Sequence, residues 1–237
     1  MPEWILKPTR QYKLPVVQRS QTDQHKIGPL SNVARLMWGS AVRASLKMMH
    51  RLEIDGREHL PEAPSFVLVA NHSSHLDALV LGSVLPLRYR NQLFPVAAGE
   101  VFFQSPARAA FSAMVLNALP LNRKQCGAHA IQKLRDRLLD ESRIYIIFPE
   151  GGRSRDGNMH KFKSGIGMIS AGTHVPVVPC RLTGTFEAFP PNRTFPRPGK
   201  IRVRIGKPRV FSSLSNCRRG WDEIAETLEQ DVRELAE

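Results

Sequence analysis

Two nearly continuous apolar runs, Phe66-Val67-Leu68-Val69-Ala70 and Ile144-Tyr145-Ile146-Ile147-Phe148, constrain most strongly what this chain can become. A strand with one wet face alternates apolar and polar residues. Short runs without that alternation, rich in β-branched and aromatic side chains, read as strands buried on both faces. Both faces then need covers, and the sequence supplies them as amphipathic helices. One is expected over 127–142, with Ile131, Leu134, Leu138 and Leu139 on a common side. Another is expected from Trp221 to Leu235, with Trp221, Ile224, Leu228, Val232 and Leu235 along one face. Helices are also expected from Ala78 to about Val84, from Pro106 to about Leu116, and over 164–171. Further strands are expected at 52–56, 93–98 and 200–206. The two prolines in Val175-Pro176-Val177-Val178-Pro179-Cys180 predict an edge or irregular strand there. Strands alternating with helices predict an α/β fold: a mixed, largely parallel sheet covered by helices on both faces.

Three segments are expected. Residues 1–28 are polar, basic and aperiodic and read as an arm. Residues 29–51 form an amphipathic helix, and residues 52–237 a single α/β domain. In the helix Arg43, Lys47 and Arg51 recur every four residues as a basic stripe. Two readings stand: an interfacial helix docked on a membrane, or a core-covering helix with a solvated basic face. The N-terminus has no apolar core of signal-peptide length, and no run approaches a bilayer span, so the expectation is a peripheral protein on the cytoplasmic side of a membrane. Three widely spaced cysteines, Cys126, Cys180 and Cys217, point to a reducing compartment.

Lys and Arg outnumber Asp and Glu by 34 to 21, a net charge of +13. That excess favours a polyanionic partner: nucleic acid, an anionic membrane surface or a phosphorylated substrate. The 11 Phe and 3 Tyr sit mostly inside apolar runs rather than interleaved with cations, which argues against nucleic acid.

Directly after the first apolar run comes Asn71-His72-Ser73-Ser74-His75-Leu76-Asp77. An aspartate close behind a histidine at a strand-to-helix turn can hold the imidazole in one tautomer while the second ring nitrogen takes a proton. Other readings stand beside this one. Ser74 and Asp77 have capping-box spacing, and His72 can be a hydrogen-bonded core histidine. His72-x-x-His75-x-Asp77 superficially resembles a zinc motif, but it has one residue too many between the histidines and Ala78 where a last histidine belongs, so no metal is expected. After the second run comes Pro149-Glu150-Gly151-Gly152-Arg153-Ser154. Its glycines let backbone approach a ligand, its arginine offers a planar fork to phosphate, and Glu150 can orient an arginine or accept from a substrate hydroxyl. An ordinary turn with a solvated arginine is the alternative. Leu119-Pro120-Leu121-Asn122-Arg123 is a third extended segment ending in a cation.

Taken in order, Asn71-His72 with Asp77, then Asn117 to Arg123, Phe148 to Ser154, Phe162-Lys163-x-Gly165 and Val175 to Pro179 make the chain resemble the 1-acyl-glycerol-3-phosphate acyltransferase family, from about Leu52 to Pro208. The resemblance implies transfer of a fatty acyl group from a thioester, acyl-CoA or acyl carrier protein, to the hydroxyl of a lysophospholipid, most simply 1-acyl-glycerol-3-phosphate. It implies His72 as general base oriented by Asp77, and Glu150, Gly151, Gly152, Arg153, Arg123 and Lys163 on the acceptor, with Lys161 a weaker candidate. No cofactor or metal is implied, and oligomeric state is not specified. The chain has no G-x-S-x-G elbow, in keeping with a substrate hydroxyl in place of a serine nucleophile. Backbone N–H groups around Asn71–Ser74 are the nearest donors for the oxyanion. Asn117, Asn122 and Gly152 depart from the family's usual glycine, acidic residue and threonine, which bears on acceptor identity. A non-catalytic membrane- or acyl-lipid-binding protein, or a transferase for a different lyso-lipid, are the competing functions.

Overall fold

The computed structural model describes residues 29–98, 119–121 and 128–236. The helix expected after Pro106 lies outside the described residues, as does Arg123. Helix α1 (Pro29–His50) leads into strand β1 (Glu53–Asp55), and the central strand β2 (Phe66–Ala70) leads into helix α2 (Asp77–Val84). Then come β3 (Leu93–Ala98), β4 (Leu119–Leu121), α3 (Ala128–Asp140), β5 (Ile144–Ile147), α4 (Gly165–Ser170), β6 (Val177–Thr183), α5 (Thr185–Ala188), β7 (Arg202–Ile205) and α6 (Arg218–Glu234).

The strands form one seven-stranded sheet in the order β1-β7-β6-β2-β5-β3-β4. β2 lies between β5 and β6, parallel to both, with Leu68 opposite Ile146 on one side and Val178 on the other. Only the β6–β7 pairing is antiparallel, so β7 and its parallel neighbour β1 run against the rest. The two strands read as fully buried are so: all five residues of β2 and all four of β5 are inaccessible or nearly so. Period-two alternation splits their side chains between two cores. Val67, Val69, Tyr145 and Ile147 pack under α3, α4 and α6, against Leu138, Ile166, Ile224 and Leu228. Phe66, Leu68, Ile144 and Ile146 pack under α1 and α2, against Leu46, Val80 and Leu81.

Two expectations need correction. The proline-bearing run is not an edge strand, because β6 sits inside the sheet between β2 and β7. Backbone N–H and C=O of one strand residue point to the same side, and the Pro179 carbonyl accepts from Gly206 N at 2.8 Å, just past the end of β7. The missing donor therefore falls beyond β7 and costs the β2 ladder nothing. The basic repeat that begins in α1 is solvated only in part. Lys47 and Arg51 are exposed. Arg43 is half-buried and turns inward, where Nη1 donates to Gly39 O at 3.1 Å and Nη2 to Leu85 O beyond the end of α2. The outward side also carries Val33, Leu36, Met37 and Met48, the last 82% exposed. Among the described residues no helix is long and apolar enough to cross a membrane.

Packing of α4 on α6 depends on one glycine. A Cβ on Gly167 would stand 2.3 Å from Trp221 Cα and 2.4 Å from Trp221 O, both backbone atoms that cannot rotate away. Gly167→Ala is therefore expected to destabilise the protein by about 1–3 kcal/mol through overpacking, outweighing the gain of up to about 1 kcal/mol in helix propensity. Urea unfolding of both proteins measures this, and an alanine variant as stable as the parent would contradict the packing described.

Candidate active site

Parallel strands place their carboxyl ends, and the loops that follow, on one edge of the sheet, the edge where open α/β sheets bind ligands. Here β2 delivers Asn71-His72 beside the loop that β5 delivers at Phe148–Ser154. Asn71 anchors the first loop to β6, its amide donating to Leu182 O at 3.0 Å and accepting from Leu182 N at 2.8 Å. The chain then turns tightly enough for the first residue of α2 to reach back. Asp77 Oδ2 accepts from Ser73 N, from Ser74 N and from the His72 ring, each at 2.8 Å. One carboxylate oxygen thus both fixes the turn before α2 and orients the imidazole, while α2 itself has no side-chain cap. His72 Nδ1 donates to Asp77, leaving Nε2 as the ring's acceptor. Asp77 is fully buried while the His72 side chain stays 20% exposed, so the pair opens to solvent only through the ring. Phe148 stacks on that ring at 4.1 Å and 15° and holds its plane.

The second loop is tied to the first in both directions. Ser154 N donates to His72 O at 2.8 Å, and His72 N donates to Glu150 Oε1 at 2.7 Å. Glu150 Oε2 accepts from His160 N at 3.0 Å. Glu150 was expected on the acceptor. The structure shows a carboxylate 6% exposed, each oxygen taken by a backbone donor, so it acts on the loops that carry the site. Burial raises its pKa, opposed by those two donors. Gly151, at φ +74°, lets Lys163 lie across the turn: a Cβ there would stand 2.7 Å from Lys163 Nζ. Gly151, Gly152, Arg153 and Lys163 thus share one loop region beside His72, with Arg153 Nη1 2.6 Å from His75 Nδ1. Lys161 points to the far helix, 3.8 Å from Glu226. The N–H groups of His72, Ser73 and Ser74 are all committed within the turn, which removes them as oxyanion donors.

One residue, Arg181, went unread in the sequence, and His75 was weighed only against a zinc motif. The His75 ring contacts Arg153. Among the described residues no group of three or more His, Cys, Asp or Glu is placed to hold a metal ion. Arg181 is a half-buried cation on β6 that senses the Glu150 charge and donates to Met159 Sδ at 3.0 Å. Its signal was available: an arginine inside the otherwise apolar stretch of β6. The arrangement as a whole suits proton abstraction by His72 Nε2 next to a cationic loop.

A profile of the family described as Acyltransferase matches residues 51–183. The 1-acyl-sn-glycerol-3-phosphate acyltransferase alpha of Mus musculus is 29% identical over 70% of this chain and 57% of its own length. The 1-acyl-sn-glycerol-3-phosphate acyltransferase BAT2, chloroplastic, of Brassica napus is 30% identical over 81% of this chain and 54% of its own. The chain thus spans a little over half the length of these relatives. The crystal structure of the 1-acyl-sn-glycerophosphate (LPA) acyltransferase PlsC from Thermotoga maritima superposes with a TM-score of 0.65 at 24% identity, covering 93% of this chain and 86% of that one, a likeness of fold.

Replacing Glu150 by Gln puts an amide NH2 against one of two backbone N–H groups. Glu150→Gln is expected to cost about 1–3 kcal/mol of stability, and to lower any turnover at His72 by loosening both loops. Thermal unfolding and a rate measurement on the same sample check this, and a variant unchanged in both would contradict the bracing role.

Proposed function

The chain belongs to the acyltransferase family, and from that premise we propose that it moves a fatty acyl group from a thioester to the free hydroxyl of a lysophospholipid, with 1-acyl-glycerol-3-phosphate the favoured acceptor and phosphatidate the product. The observation that carries this is the 2.8 Å bond from His72 Nδ1 to the buried Asp77. Lipid binding alone has no use for an imidazole fixed in one tautomer with its Nε2 at the surface.

In this reading Nε2 takes the proton of the acceptor hydroxyl as its oxygen attacks the thioester carbonyl. Asp77 stabilises the imidazolium that forms. The tetrahedral intermediate collapses, the carbon–sulfur bond breaks, and the departing thiolate takes the proton back from His72. Arg153, Lys163 and the backbone at Gly152 grip the acceptor phosphate, and Arg123 is proposed for the same task. Gly151, whose N–H is committed to Phe148 O at 3.1 Å, serves by letting the turn and Lys163 come close. The donor is acyl-CoA or an acyl carrier protein, both acidic and matched to a chain of net charge +13. The outward side of α1, with Met37 67% and Met48 82% exposed, lies on the bilayer from which the acceptor comes.

His72→Ala is expected to lower acyl transfer about a thousandfold or more, measured as thiol release from an acyl thioester over a panel of glycerol-3-phosphate, lysophosphatidate and other lysophospholipids. Near-native release by that variant would remove the proposed chemistry. No acceptor-dependent release from the parent protein would favour a binding module instead. For the membrane contact, Met37→Glu combined with Met48→Glu is expected to weaken sedimentation with anionic vesicles roughly tenfold or more. Equal sedimentation of parent and variant would move the docking surface elsewhere.

A further inference from the structure

His75 stands in the turn between His72 and Asp77, and its ring meets the second loop. Arg153 Nη1 lies 2.6 Å from His75 Nδ1 and also contacts Nε2. The ring makes a further hydrogen bond with the Pro191 backbone and packs at 5.0 Å and a 40° tilt on Phe189. The Phe189 carbonyl in turn accepts from Ser74 Oγ at 2.7 Å. The imidazole is thus clamped between the His72 turn and the 189–191 segment, with the guanidinium resting on it. Guanidinium only donates, so a ring nitrogen facing it must carry a lone pair. A neutral imidazole keeps one lone-pair nitrogen that can accept from Arg153, whose Nη1 lies against both ring nitrogens, and one N–H that the Pro191 backbone favours. A long arginine at a half-buried site otherwise loses rotamer freedom each time it meets a ligand.

We propose that His75 is a positioning residue for Arg153: it holds the guanidinium aimed at the acceptor phosphate before the acceptor arrives. The proposal rests on the phosphate-gripping role given to Arg153 above. It carries a pH dependence. The charged and titratable groups facing the ring are Arg153 from the second loop, and His72 and Asp77 from its own turn. Burial first, and the Arg153 charge second, lower the His75 pKa below its ordinary 6.5, so the ring is neutral at pH 7. When pH falls and the ring takes a proton, it loses its lone pair and sets a second positive charge against Arg153. The guanidinium leaves, and acceptor affinity drops.

The test is a steady-state comparison of the parent, His75→Phe, His75→Gln, Arg153→Ala and the His75→Phe/Arg153→Ala double variant, with lysophosphatidate and an acyl-CoA. His75→Phe keeps the packing and removes the acceptor. It is expected to raise the acceptor KM roughly tenfold with little change in kcat. His75→Gln keeps a donor and an acceptor and is expected to recover most of that loss. In the Arg153→Ala background, His75→Phe is expected to add nothing. Between pH 7.5 and 5.5 the KM of the parent should rise more steeply than that of His75→Gln, since ionisation of the acceptor phosphate acts on both alike. An unchanged KM for His75→Phe, a loss confined to kcat, or additive effects in the double variant would overturn the positioning role. An unchanged KM for Arg153→Ala would overturn the phosphate grip as well, and the two failures are told apart by that single variant.

Discussion

One carboxylate oxygen organises this molecule's working edge. Asp77 Oδ2 collects the His72 ring and two successive backbone donors, all at 2.8 Å. Burial strips a carboxylate of its hydration, and the tight turn from β2 into α2 returns three donors to Oδ2, while Oδ1 is buried with no partner among the described residues. Turn shape and ring orientation are therefore one event. The aspartate holds the loop in this path, and the loop gives the aspartate its donors. His72 receives its tautomer from the same arrangement that begins α2.

Around that oxygen the two loops are stitched together rather than merely adjacent. His72 gives its N–H to Glu150 and its carbonyl receives from Ser154, while Glu150 also receives from His160. Groups that share partners in this way respond as a unit, and the effects of changing them do not add. The acidic residue of the second loop thus acts at a distance on the proposed base. Arg181, half-buried on β6, adds a positive charge that Glu150 feels across β2.

Much of this architecture was readable from local pattern. Unbroken apolar runs gave away β2 and β5, because being buried on both faces leaves no place for polar alternation. The His72–Asp77 spacing was likewise legible, since it depends on a single turn. What escaped was decided by partners distant in sequence. Whether Pro179 weakens a strand depends on which neighbour its missing N–H faces, and that neighbour is Gly206. Whether Arg43 meets water depends on the Leu85 carbonyl at the far end of α2. Glu150 looked like a ligand contact because its backbone donors, His72 and His160, are chosen only when the loops meet. His75 stood out only in a failed zinc pattern, because the residue it touches, Arg153, lies 78 positions away.

The central position of β2 also says something about how the chain reaches this state. Its partners β5 and β6 both follow it, beginning at Ile144 and Val177, and neither pairing can form until those residues exist. Non-local parallel pairing of this kind closes large loops before it gains contacts, which makes folding slow. At about 5–20 residues per second, a ribosome leaves the most apolar strand of the molecule with bare edges for on the order of ten seconds. During that interval the partners of one face, among them Leu46 on α1 and Val80 and Leu81 on α2, are already made, whereas the flanks still wait for β5 and β6.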